Sequence, residues 1–315
     1  MKLVFLLALI FALPTYAQEK VIKVTQVTLA LNWKAEPEFG GLYAAALQGE
    51  FKKRNLDVQI LEGGSGSPTV QMLANDKVDF AVVSGDEIIL SQDRHPQEKV
   101  RAVFATYQKA PYIVMTHAEK NFHSLRDVFM SKDLLSIETG LPFYLFLTKK
   151  WGKPQAQLVP YSGGVAHFIN DKNFSQQGFL TSEPLSAEKA GQKVKSFLVA
   201  DEGFNPYTVV VATNDSTLKN RPDLVPQMVE AIRAGWDSYL KDPTATNKAM
   251  FALNKSMDLE TFAKSAQAQK VLILPAQGQK LGNMTSERWQ SLISQLKDLN
   301  LIKSQIPAAE VYRNF

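Results

Sequence analysis

The apolar positions along the first hundred residues fall into runs of alternating period. Residues 24–31 alternate and then become continuously apolar, as a strand entering a buried sheet would. Residues 41–54 carry Leu42, Ala45, Ala46 and Phe51 at helical spacing and end in Lys52-Lys53-Arg54, cations that suit a helix C-terminus. Asn55 is the expected left-handed stop. Residues 56–61 predict a strand, 68–77 a short helix (Val70, Leu73 and Ala74 inward), 79–84 a strand, 86–94 a helix and 100–107 a fourth strand. This β-α-β-α-β-α-β order predicts a parallel sheet with right-handed crossovers.

A further strand pattern at 110–117 starts a second unit of the same kind. It predicts helices at 124–130, 142–151, 164–170 and 184–190, with strands at 135–138, 157–161 and 177–180. Tyr207 to Ala212 is then a β-branched run. Two crossings between units, near 106–116 and 203–213, mean that the second unit is inserted into the first. The expected architecture is α/β, two lobes with a double-crossover hinge: residues 18–108 and 208–315 in lobe 1, residues 109–207 in lobe 2. The remainder is helical. Residues 222–241 align Val225, Met228, Val229, Ile232, Trp236 and Tyr239 on one face; helices also fit 245–254, 258–269 and 286–301. These helices read as packing for lobe 1, with Trp236 and Trp289 in the core and no chemistry expected. The Gln- and Gly-rich stretch 274–283 reads as a surface excursion.

The first residues alter the picture. Lys2, the apolar run Leu3 to Leu13 and the small residues before Ala17 have the form of a secretion signal, residues 1–17, cut after Ala17. The run is shorter than the roughly 20 apolar residues that a membrane span needs. The chain has no cysteine, which excludes disulfides, thiolate chemistry and a lipid-modified N-terminal cysteine. An exported, freely soluble protein without a lipid anchor is expected in the periplasm. The net charge of +4 is spread thinly and no basic stripe is interleaved with aromatics, so nucleic acid is not an expected partner.

Catalytic signatures are missing. Gly63-Gly64-Ser65-Gly66-Ser67 lacks the Gly spacing of a nucleophile elbow, no Gly-Lys-Ser/Thr follows a glycine loop, and His95, His117, His123 and His167 form no metal-binding pair. The expectation is a protein that is not an enzyme and holds no metal or cofactor. In open α/β sheets, ligands sit beyond the carboxyl ends of the strands. There the sequence places Asn32, Trp33, Glu36, Glu38 and Tyr43; the N–H groups and hydroxyls around Ser65 and Gly66, with Ser67 as a helix cap ahead of Pro68; Ser84 and Asp86; and, in the second lobe, Glu138, Tyr161, Ser162 and Glu183. The expected pocket has an aromatic stacking wall and a polar end.

Leu31-Asn32-Trp33, Gly41-Leu42-Tyr43-Ala44-Ala45, Gly49-Glu50-Phe51-Lys52, Leu56-Asp57-Val58, Gly63-Gly64-Ser65 and Phe80-Ala81…Ser84-Gly85-Asp86-Glu87 follow in this order. They resemble the substrate-binding components of ABC importers in the thiamine-pyrimidine-precursor group, related to the nitrate, sulfonate and taurine binders. In that group the first loop reads Asp-Trp-x-Pro-Asn-x-x-His; here it reads Asn32-Trp33-Lys34-Ala35-Glu36-Pro37-Glu38-Phe39, keeping the tryptophan but not the Pro, Asn or His. The resemblance implies a type II periplasmic binding protein that acts as a monomer. It would close on a small heteroaromatic ligand and deliver it to a membrane permease and its ATPase. The acids argue for an amine-bearing ring, a pyrimidine or a flavin-like one, over an oxyanion. Alternatives are a sulfonate or nitrate receptor, a receptor serving a sensor kinase, and a pyrimidine-synthesis enzyme of the same fold.

Overall fold

The computed structural model describes residues 24–64, 66–97 and 99–315. The expected secretion signal and Ser65 lie outside them. Among the described residues ten strands form two sheets: β1 (Thr25–Ala30), β2 (Leu56–Leu61), β3 (Phe80–Val83), β4 (Val100–Ala105), β5 (Tyr112–His117), β6 (Leu134–Ser136), β7 (Gln157–Val159), β8 (Phe174–Phe179), β9 (Val194–Leu198) and β10 (Val210–Asn214). The orders are β2-β1-β3-β10-β4 and β7-β6-β8-β5-β9. The chain leaves the first sheet after β4, builds the second, and returns as β10.

Position in the sheet explains each strand's composition. β3 and β10 are central and buried throughout, hence the unbroken Phe-Ala-Val-Val and Val-Val-Ala runs. β2 is an edge strand, and its Asp57 and Gln59 alternate toward solvent. The expected parallel sheet holds for β2, β1 and β3 but not at β4, because β10 comes back from the other lobe and inserts antiparallel between β3 and β4. In the second sheet β5 is likewise antiparallel to both β8 and β9. β9 was not expected from the pattern: it is an edge strand whose five residues are all half-buried, so Val-Lys-Ser-Phe-Leu shows no clear inside face.

The helix expected over 41–54 divides. It runs Gly40–Leu47, breaks at Gly49, and the basic triplet occupies a separate 3-10 turn, Lys52–Arg54. Asn55 is left-handed, as expected. Against the first sheet packs Leu224–Lys241, with Trp236 and Tyr239 buried, each worth on the order of 1.5–3 kcal/mol of burial. Its approach to Gly40–Leu47 is close enough to need glycine on both sides: a Cβ on Gly235 would stand 2.1 Å from the Gly41 carbonyl oxygen, and one on Gly41 would enter the Trp236 ring. Trp289 is in the core too. The 274–283 stretch is exposed at Gln277, Gly278 and Gln279. Its end, however, is pinned to the core, with Leu281 buried and the Gly282 carbonyl accepting from the Ala105 N–H.

Between the sheets two stretches of chain run side by side, residues 106–111 outward and 203–209 on the return. They are tied by Thr106 N–H to Val209 O (3.1 Å) and by Ala110 N–H to the Asn205 side-chain oxygen (2.8 Å).

Candidate functional site

A cavity of about 670 Å³ lies between the lobes. Lobe 1 supplies Asn32, Trp33 and Lys34 from the loop after β1, Glu36 and Glu38 from the turn that follows, and the residues around Asp258 that begin the helix Leu259–Ala268. Lobe 2 supplies Tyr161, Gly163 and Gly164 from the loop after β7, Phe179 at the end of β8, and one face of the helix Glu183–Lys189. The helices Glu183–Lys189 and Leu259–Ala268 meet at the mouth, where Lys189 Nζ and Asp258 Oδ2 are 2.5 Å apart.

Two carboxylates are held in place by neighbours. Glu36 accepts from Trp33 Nε1 (3.2 Å) and Asn254 Nδ2 (3.3 Å). Glu183 accepts from the Tyr161 hydroxyl (2.7 Å) and the Phe179 N–H (2.7 Å). The second bond depends on Gly178, where a Cβ would lie 2.7 Å from Glu183 Oε2. Behind Phe179, Tyr112 meets its edge at 5.1 Å and stacks on Phe143 at 5.6 Å. Trp33 is 38 % exposed and lines the cavity.

The electrostatics are one-sided. Burial, reinforced by the neighbouring Glu36 and Glu183, holds the Glu38 carboxyl well above its ordinary value. Glu36 is also raised, mainly by burial, with Glu183 adding and the bonds from Trp33 and Asn254 opposing. Lys34 pulls the other way on Glu36, with the smallest of these effects. The lining holds four acidic side chains (Glu36, Glu38, Glu183 and Asp258) and two lysines (Lys34 and Lys189), of which Lys189 is paired with Asp258. It suits a ligand that brings N–H or O–H donors.

Of the residues expected at the site, the cavity brings together Asn32, Trp33, Glu36, Glu38, Tyr161 and Glu183. The other described ones stand elsewhere. Tyr43 is a core residue whose hydroxyl donates to Glu62 (3.2 Å), so it is not a stacking wall. Gly66 is exposed, and Ser67 accepts from the Gly64 N–H (2.7 Å), closing its own loop instead of capping the helix Thr69–Ala74. Ser84 serves the start of its helix, bonding Glu87 through both its N–H and its hydroxyl. Asp86 is not among the cavity residues; one of its carboxylate oxygens is buried without a partner, and burial raises its pKa. Glu138 bonds Gln177 at an exposed position, and Ser162 is exposed beside the lining glycines.

Sequence reasoning missed the wall built by Ser256, Met257, Asp258 and Thr261, in a region expected to hold no chemistry. The available signal was Asp258 as a helix cap: it accepts from the Glu260 and Thr261 N–H groups. Ser182, Ser186 and Lys189 were missed as well, since helical spacing alone does not say which face looks across the cleft.

The sequence matches the family described as NMT1/THI5 like over residues 36–246. It is 25% identical over 226 residues to the riboflavin-binding protein RibY of Chloroflexus aurantiacus, a match covering 69% of this chain and 63% of that protein, less than two thirds of its length. It is 26% identical over 235 residues to the 4-amino-5-hydroxymethyl-2-methylpyrimidine phosphate synthase THI11 of Saccharomyces cerevisiae, covering 69% of this chain and 68% of that one. Among solved structures, the periplasmic aliphatic sulphonate binding protein SsuA from Escherichia coli superposes with a TM-score of 0.68 at 9% identity, covering 90% of this chain and 91% of that chain. The putative periplasmic sulfonate-binding protein SsuA from Methylobacillus flagellatus does so with 0.66 at 13%, covering 93% and 92%. At such identities the likeness concerns the fold alone. With two five-stranded sheets, a helical C-terminal region and this match, the chain belongs to the NMT1/THI5-like family and has the type II periplasmic binding protein fold.

Proposed function

We propose that this protein is the solute-binding component of an ABC importer, and that it captures a flavin-sized heteroaromatic in the cleft between its lobes. The observation that carries the reading is the cavity itself. It is enclosed by both lobes, has an exposed indole on one side and is lined with acceptors. Its 670 Å³ lies within the roughly 300–1,000 Å³ of small-molecule sites and is more than a single pyrimidine ring fills. A flavin offers a large flat ring for Trp33 and several N–H and O–H donors for Glu36, Glu38 and Glu183. The similarity to RibY supports the same ligand class. A sulfonate would meet four acidic side chains (Glu36, Glu38, Glu183 and Asp258) against two lysines (Lys34 and Lys189, the latter paired with Asp258), which argues against the ligand class named for the structural neighbours. Export to the periplasm and delivery to a permease and its ATPase follow from this reading.

Micromolar affinity needs about 8 kcal/mol, within reach of a stacked ring buried on both faces. Calorimetry with riboflavin, 4-amino-5-hydroxymethyl-2-methylpyrimidine and taurine tests the proposal. Riboflavin should bind at micromolar Kd or tighter and be recovered unchanged. Binding of taurine alone, or conversion of a ligand, would overturn it.

A further inference from the structure

Val209 stands in the return crossing with φ +49° and is buried. The other non-glycine residues with positive φ among those described are Asn55, Asp76, Asn121 and Asn300, types that tolerate the left-handed region. A β-branched residue there is strained, and such strain persists only where the surroundings impose it. One layer away, the same crossing is gripped by an arginine. Arg288, from the helix Ser286–Asp298 of lobe 1, lies over the Tyr207 ring at 3.8 Å. Its guanidinium donates to Asn205 O (2.7 Å), Pro206 O (2.7 Å) and Asn205 Oδ1 (3.0 Å) in the return crossing, and to Gln108 O (2.5 Å) in the outward one. One side chain thus holds both connections between the lobes. Beside Val209, the Thr208 hydroxyl oxygen is buried with no protein partner, and across the cleft the lobes touch at Lys189–Asp258.

We propose that Val209 is the pivot of lobe opening and Arg288 the staple that holds the hinge in its closed, strained form. Opening lets Val209 leave the left-handed region; closure requires Arg288 to grip both crossings at once. Hinges in ligand-closing proteins are a few loop or element-terminal residues that absorb the φ/ψ change, and these two stretches are where this fold can do so. The inference rests on the reading of the protein as a two-lobed binder that opens and closes, but not on which ligand it takes.

The absence of native cysteine permits a direct test. Spin labels on Asn170→Cys in lobe 2 and Lys248→Cys in lobe 1, both exposed positions, report the interlobe distance by pulsed electron resonance without ligand. Val209→Gly removes the steric penalty of the closed form and should raise the closed-to-open ratio about tenfold. Arg288→Lys keeps a charge but loses the fork and should shift the ratio toward open by a similar factor. Wild-type distributions in both variants, with native near-ultraviolet circular dichroism, would overturn the proposal; so would a shift of Val209→Gly toward longer distances. If Arg288→Lys does not fold, Val209→Gly decides alone. Failure of riboflavin to bind leaves these distances readable, so the ligand reading and the hinge can fail separately.

Discussion

At Trp33 the indole N–H is tied to Glu36, and the residue, 38 % exposed, lines the cavity. A side chain so placed contributes little to folding and much to a stacked ligand. Trp33→Ala is expected to cost roughly 1–3 kcal/mol of riboflavin affinity by calorimetry with an unchanged melting temperature. Glu38 acts in the opposite sense on stability. Its carboxyl titrates well above 4.5 in the folded protein and at its ordinary value in the unfolded chain. Between those two values the folded state binds the extra proton, so its contribution destabilises increasingly as pH rises through that window. Glu38→Gln should therefore raise the ligand-free melting temperature at pH 7 and flatten its fall with pH above 4.5. A lowered melting temperature with an unchanged slope would show that Glu38 is not the penalised group. These residue-scale roles were partly legible: Trp33, Glu38 and Glu183 could be picked from strand ends. Tyr43 could not be separated from them, because helical spacing puts it one residue from Leu42 without saying that it turns into the core toward Glu62.

Among the elements, the crossing of Gly40–Leu47 on Leu224–Lys241 illustrates what a motif conceals. Gly40-Gly41 stands next to the binding loop in sequence, yet Gly41 serves helix packing: it admits the Trp236 ring, as Gly235 admits the Gly41 carbonyl. Gly235→Ala should lose about 1–3 kcal/mol in urea denaturation through overpacking, while Gly64→Ala, which meets nothing within 4 Å, should stay within about 0.5 kcal/mol. Most element positions could be read from periodicity, including β2, whose bounds coincide with the expected ones. The failures share a cause. β9 has no buried face to betray it, and the helix over 41–54 was read through a break because Gly49 leaves the apolar spacing on either side intact.

For the whole molecule, the contact at Lys189–Asp258 joins the lobes across the cleft, while Lys149 Nζ donating to Asp298 O (2.5 Å) ties lobe 2 to the helix Ser286–Asp298 elsewhere. Both side chains are nearly half exposed, so the pair is worth little, about 0.2–1 kcal/mol at most. Lys189→Ala should speed ligand release modestly at low ionic strength in stopped flow. The difference should vanish in 1 M salt, where screening acts within about 3 Å. A salt-independent change would mean that Lys189 touches the ligand instead.

The sequence by itself determined that this chain makes two α/β units with one set into the other, since hydrophobic period and the return of a β-branched run are local properties. It also determined that the first loop carries an indole and acids beyond a strand end. Only the tertiary structure decided which acids share a cavity, because that depends on how one lobe faces the other. Trp33 and Asp258 are remote in the chain and line the same space, while Asp86, at an equivalent strand end, is not among the lining residues. The antiparallel insertion of β10 was decided there too. A returning strand pairs wherever the sheet leaves its central position open, and no residue of β10 states that direction.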